Sequence, residues 1–228
     1  MNSKDLRLIL FDVDGTLVDS QGDIVAAMTH AFEQAGSLVP DRNTILSIVG
    51  LSLDVAMERL APELSPRVQS KMVDWYKEAY MHLRAQAGAA QSSPLYPGAL
   101  RALNTLSAVP ENLLGVATGK SRRGLDKLLE GHGLGAYFVT QQVSDFHPSK
   151  PHPSMILTAL SETGIEASNA VMIGDTEFDM AMGRAAGVNT IGVSWGYHPR
   201  SALTDADVVI DDFSDLPSGL DRIWRAKI

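Results

Sequence analysis

Apolar residues along the chain follow two rhythms. Short, mostly apolar runs recur at residues 6–11, 113–117, 170–173, 190–193 and 208–210, with 136–140 a further short candidate. Runs of this length, rich in Val, Ile and Leu, predict strands buried on both faces. Between most of them lie helical patterns at 97–108, 121–133, 151–164 and 176–187, the last three closing on Gly133, Gly164 and Gly187. Such glycines end helices because they adopt the left-handed conformation without strain. Alternating strands and helices predict an α/β fold, a doubly wound parallel sheet of Rossmann-like type.

One stretch breaks the alternation. Residues 16–93 contain no strand-like run. Ile24, Ala27, Met28, Ala31, Phe32 and Ala35 form one helical stripe, and Val68, Met72, Trp75, Tyr76, Ala79 and Leu83 form a second. Shorter helices are predicted at 43–49 and 52–60. The small and polar stretch 85–94 predicts a linker. The organisation expected is therefore a core of residues 1–15 and 94–228, interrupted by an all-helical module at 16–93. The aromatic and methionine stripe is read as packing within that module rather than as a wall facing ligand. Asp41, Arg42, Glu58, Arg59 and Arg84 are read as solvated charges, with Arg59 the one considered for reaching a substrate anion.

Composition narrows the function. The 228 residues are 45% hydrophobic and 20% charged, with a formal net charge of -8, ordinary for a globular protein. An acidic chain lacks the basic face that nucleic acid or an anionic membrane needs. It contains no cysteine, so disulfides and thiolate metal sites are excluded. The first apolar run is short and interrupted by Arg7, and no run reaches membrane-spanning length. A soluble cytoplasmic protein is expected, as monomer or homodimer.

The chemistry gathers at strand ends. Asp12 and Asp14 follow the first run; Thr118 and Gly119 follow the second; Asp175 follows the third, with Asp179 one helical turn on. Ligands of open parallel sheets bind outside the carboxyl ends of the strands. A buried carboxylate is unfavourable unless paired, bound to metal or used chemically. Acids from two strand ends aimed at one mouth suit a hard cation such as Mg²⁺. The scattered histidines (30, 82, 132, 147, 152 and 198) show no zinc spacing. A threonine hydroxyl and free backbone amides suit phosphate oxygens. Lys150 stands between Pro148 and Pro151, which stiffen its approach, whereas Lys120 is read as solvated.

In order, "DVDGT", "ATGKS", "SKPHP" and "GDTEFD" resemble the four motifs of the haloacid dehalogenase superfamily of phosphohydrolases. "DGTLVDS", "GVNTIGVSWG" and the helical insert, which looks like a cap, are similar to its phosphoglycolate phosphatase-like branch. The resemblance implies an Mg²⁺-dependent phosphatase acting on a small phosphorylated metabolite. It implies Asp12 as nucleophile, Asp14 as general acid and base, and Thr118, the Gly119 amide and Lys150 as phosphoryl ligands. The metal would lie on the Asp12 carboxylate, the Asp14 backbone carbonyl and Asp175, with Asp179 beside it. A dehalogenase is disfavoured, since that branch lacks the second aspartate of the first motif. Gly119 stands where the family often has asparagine, keeping an amide and lacking a side-chain donor. A phosphomutase of the same superfamily, a receiver-like phospho-aspartate module and a silent phosphate-binding regulator are the competing readings. The receiver is only about half this length and needs no insert.

Overall fold

The computed structural model describes residues 6–225. Six strands form one parallel sheet: β1 (Arg7–Phe11), β2 (Asn112–Thr118), β3 (Phe138–Val143), β4 (Ala170–Gly174), β5 (Asn189–Val193) and β6 (Val208–Ile210), in the order β3-β2-β1-β4-β5-β6. The order reverses beside β1, which therefore sits centrally with its carboxyl end at the switch point.

Successive strand residues face opposite ways, and β1 uses both directions. Ile9 and Phe11 enter an apolar layer with Leu103, Leu125 and Leu220. These come from α6 (Ala99–Ser107), α7 (Arg122–His132) and α10 (Leu216–Arg225). Leu8 and Leu10 enter the other layer, with Met155, Ile156 and Met182 from α8 (Ser154–Thr163) and α9 (Glu177–Ala186). All four β1 side chains are fully buried, each contributing about 1.5–3 kcal/mol. That burial holds the strand rigid up to the first aspartate.

Between β1 and α6 the chain forms five helices: α1 (Gln21–Ala35), α2 (Arg42–Leu46), α3 (Leu53–Leu60), α4 (Pro66–Ala87) and α5 (Ala89–Ser92). The two stripes read from sequence meet here, with Ile24, Met28, Phe32, Met72 and Tyr76 in one apolar cluster. Phe178 of α9 joins them, so the cluster also grips the sheet side. Asp41 is spent on structure, its carboxylate accepting from the Asn43 and Thr44 amides at the start of α2.

Three expectations are corrected. The linker at 85–94 is mostly helix: α4 continues through Ala87, Gly88 interrupts at φ 79°, and α5 follows. Alanine and glutamine favour helix, and only the glycine breaks it. The third strand lies further along than 136–140. Finally, α10 went unpredicted. Among the described residues, no helix is long and apolar enough to cross a membrane.

Candidate active site

The Asp12 amide donates to the Ile173 carbonyl at 2.9 Å, continuing the β1–β4 ladder one residue and fixing this aspartate at the mouth of the sheet. A tight turn follows, with the Leu17 amide on the Val13 carbonyl at 2.9 Å. Gly15 within it has φ 81° and faces the Asp175 carboxylate where a Cβ would project. Gly196 meets Asp175 in the same way, so two side-chain-free positions make room for one acid. Asp175 Oδ1 accepts from Thr16 Oγ1 at 3.0 Å and Oδ2 from the Tyr197 amide at 2.8 Å. Asp175 thus precedes α9 rather than lying within it, and Thr176 caps the helix, forming a capping box with Asp179.

Asp179 is bound on both oxygens. Oδ2 accepts from Thr176 Oγ1 at 2.7 Å, and Oδ1 accepts from Lys150 Nζ at 2.6 Å. Lys150 is buried and also lies 3.0 Å from Asp12 Oδ1. Its ammonium is aligned on Asp179, so that approach to Asp12 is an ion pair without hydrogen-bond geometry. Neither Asp12 oxygen has a hydrogen-bond partner among the described residues. Ligand oxygens of Asp12, Asp175 and Asp179 lie within 4.8 Å of one another.

Asp12 and Asp179 face the Lys150 ammonium, and Asp175 adds a third buried carboxylate to the group. Burial pushes the Asp12 carboxyl from 3.8 up to about 7; Lys150 opposes this, while Asp179 and Asp14 add to it. Burial likewise holds Asp175 well above its usual range, helped by Asp179 and Asp12. Burial pulls the Lys150 ammonium down, but Asp12 and Asp179 outweigh it and keep it charged. An all-oxygen set with two orphaned carboxylate atoms and excess negative charge fits a hard divalent cation.

Asp14 belongs to a different set of contacts. It accepts from Ser20 Oγ and pairs with Lys120 Nζ at 2.9 Å. Lys120, expected in solvent, has a side chain only 9% exposed and reaches the Tyr80 hydroxyl at 3.3 Å. Burial draws the Lys120 ammonium down, yet Asp14 and Tyr80 overcome this and raise it. The Tyr197 hydroxyl accepts from the Ser20 amide at 2.8 Å. Thr118 is buried, its Oγ1 accepting from the Lys120 amide at 3.3 Å. A Cβ on Gly119 would stand 2.6 Å from the Gly50 carbonyl and 2.8 Å from that of Leu51. The asparagine usual here therefore has no room while the loop after α2 lies this close.

Asp12, Asp14, Thr118 and Lys120 open into a cavity of about 790 Å³, walled opposite by Tyr76 and Tyr80 of α4. Tyr76 both packs in the helical cluster and lines this cavity, so the stripe read as packing alone serves two faces. Arg59 stays outside it, exposed and stacked on Phe178 at 5.3 Å. Arg84, expected in solvent, lines it.

The model of the haloacid dehalogenase-like hydrolase family matches residues 9–193. The chain belongs to that family. It is 35% identical over 214 residues to a probable phosphatase, IndB, of Dickeya dadantii, covering 92% of this chain and 91% of that one. A phosphoglycolate phosphatase of Agrobacterium fabrum is 33% identical over 225 residues, covering 96% and 95%. A haloacid dehalogenase-like family hydrolase of Streptococcus pneumoniae superposes with a TM-score of 0.80 at 27% identity, over 94% and 98% of the two chains. As a member of this family with phosphatases for relatives, the protein is a phosphoric monoester hydrolase.

All seven residues singled out from the sequence gather at this one mouth. Thr16, Ser20, Lys120, Arg84 and Tyr197 were missed. Thr16 and Ser20 lie within "DGTLVDS", and Tyr197 follows the end of β5, so proximity to a strand end was the available signal. Arg84 offered none, since its surroundings come from α7.

Proposed function

We propose that this protein hydrolyses a small phosphomonoester in the presence of Mg²⁺ through an aspartyl-phosphate on Asp12. The observation that carries the reading is the buried Asp12 carboxylate, ion-paired with Lys150, without a hydrogen-bond partner on either oxygen among the described residues, and open to the cavity. Asp12 attacks phosphorus and displaces the alkoxide. Asp14 supplies the proton that the leaving oxygen needs, then takes one from the water that cleaves the acyl phosphate. Inorganic phosphate leaves and Asp12 is restored. Lys120 and Ser20 hold Asp14 in place for both transfers. Thr118, the Gly119 amide and Lys150 balance the charge on the phosphoryl oxygens.

Asp12, the Asp14 carbonyl and Asp175 would hold Mg²⁺, with Asp179 beside it. The cation supplies charge neutralisation between an anionic nucleophile and an anionic ester. Residues 16–93 act in this reading as a cap over the core of 1–15 and 94–228, with α4 and the loop before α3 excluding water from the cavity. The acidic, cysteine-free composition suits a cytoplasmic enzyme acting on a phosphorylated metabolite.

The test is hydrolysis of p-nitrophenyl phosphate. Activity is expected to vanish in EDTA, return with Mg²⁺, and release stoichiometric inorganic phosphate without any bisphosphate activator. Full turnover in EDTA would sink the metal assignment, and a bisphosphate requirement would make the enzyme a mutase. Melting gives a reading independent of activity. Native Asp12 and Asp175 have raised pKa values, so without metal they bind protons that the unfolded chain has already lost. Their contribution to stability is full below about pH 4 and declines as pH rises, for Asp12 through about 7. Mg²⁺ should therefore raise Tm more at about pH 8 than at about pH 5. A shift equal at both would count against these ligands.

A further inference from the structure

On α4, Tyr80 and Arg84 stand one turn apart and face the same cavity. Arg84 lies over the Tyr80 ring, its guanidinium carbon 5.3 Å from the centroid, and Tyr80 in turn contacts Lys120, the partner of Asp14. The guanidinium is thus one aromatic ring away from Lys120, which pairs with the residue that serves the leaving oxygen. Its Nη1 donates to the Gly124 carbonyl, in the first turn of α7, at 3.1 Å. Its Nε and Nη2 are buried and have no hydrogen-bond partner among the described residues. No carboxylate pairs with it there either. Four of the acids lining the cavity are engaged by other groups: Asp12 pairs with Lys150 at 3.0 Å, Asp14 with Lys120 at 2.9 Å and Glu130 with Lys127 at 2.6 Å, and Asp145 accepts from the Arg122 amide at 2.7 Å.

Leaving two buried charged donors unmatched is unfavourable. A folded cavity tolerates that where a ligand completes them. Nε and Nη2 form the side-on edge of the guanidinium, two parallel donors matched to two oxygens of one carboxylate or phosphate. The same cavity carries apolar and aromatic lining, Ile24, Met28, Val49 and Tyr76 among it.

Resting on the phosphatase reading, we infer that Arg84 anchors a second anionic group carried by the leaving alcohol. The substrate class is then a phosphomonoester whose alcohol bears a carboxylate or a further phosphate across an apolar body. Arg84 determines specificity and touches substrate at the end remote from the reacting phosphorus.

The test compares two matched pairs. One is para-(carboxymethyl)phenyl phosphate against its carbamoylmethyl analogue, whose insulating methylene keeps the leaving groups alike. The other is butanediol bisphosphate against butanediol monophosphate. In the wild type, kcat/KM is expected to favour the anionic member of at least one pair by roughly tenfold or more, as a charge-assisted pair in a cavity gives. Which pair responds tells carboxylate from phosphate. Arg84→Gln should bring the ratio towards one whatever the absolute rates, and Arg84→Lys, charged but without the fork, should fall between. A merely structural Arg84 would move both members together, so an unchanged ratio in Arg84→Gln overturns the inference, as does a wild type without preference. Calorimetric affinities of the corresponding benzylphosphonates give the same comparison without turnover. Absent hydrolysis of every ester would reject the phosphatase reading alone, and the phosphonate ratio would still decide Arg84.

Discussion

Asp12→Asn is expected to fold as the wild type does and to lose turnover by about 10⁴-fold or more. The amide keeps the shape of the side chain but cannot form an acyl phosphate. The same change should not lower Tm in metal-free buffer. The wild-type carboxyl, pushed up to about 7 by burial, is a poorly solvated anion above that pH, and a neutral amide of the same shape removes that buried charge. Thermal melts beside p-nitrophenyl phosphate kinetics check both halves. A variant that retained a tenth of wild-type turnover would exclude Asp12 as the nucleophile. A variant that lost both activity and Tm would show only damage to the fold.

Lys150→Met should have the largest effect on stability. It removes the one ammonium that faces Asp12 and Asp179 at 3.0 and 2.6 Å, leaving buried carboxylates uncompensated. Breaking such a pair by deleting one partner destabilises by about 3–5 kcal/mol. The sign of the pH dependence follows from the neighbours. Lys150 lowers the Asp12 pKa, so without it the Asp12 carboxyl rises further above about 7 and takes up protons more readily in the native state. The loss in EDTA should then be greatest at about pH 8, shrink towards about pH 5 as Asp12 takes up its proton, and be partly recovered by Mg²⁺. Urea denaturation at the two pH values, with and without Mg²⁺, measures it. An equal loss at both would mean that Lys150 acts through packing alone.

What the sequence made legible follows from which interactions are local. The strand β1 and the acids after it could be read because an unbroken apolar run ending in Asp-x-Asp has few physical explanations. The stripes of α1 and α4 could be read because helical periodicity survives any tertiary arrangement. The helix α10 escaped because Pro217 and Gly219 interrupt it, although Leu216, Leu220 and Ile223 are buried at helical spacing. The run at 85–94 carries the small residues of a linker, yet its alanines favour helix and extend α4 to Ala87. Lys120 and Arg84 were misplaced for a different reason. A lysine or arginine on a helix face or loop is ordinarily solvated, and only the docking of α4 against α7 and the mouth of the sheet buries these two. The catalytic acids are encoded locally; the cavity that selects the substrate is encoded in how two helical layers meet.

The central claim is a phosphoryl group on Asp12. Enzyme turning over p-nitrophenyl phosphate with Mg²⁺ can be quenched rapidly and reduced with borohydride, which converts an acyl phosphate to the alcohol. Peptide mass spectrometry should then find homoserine at position 12, absent when substrate is omitted and absent in Asp12→Asn. An enzyme caught during steady turnover with position 12 unreduced and the modification at Asp14 or Asp175 would contradict it.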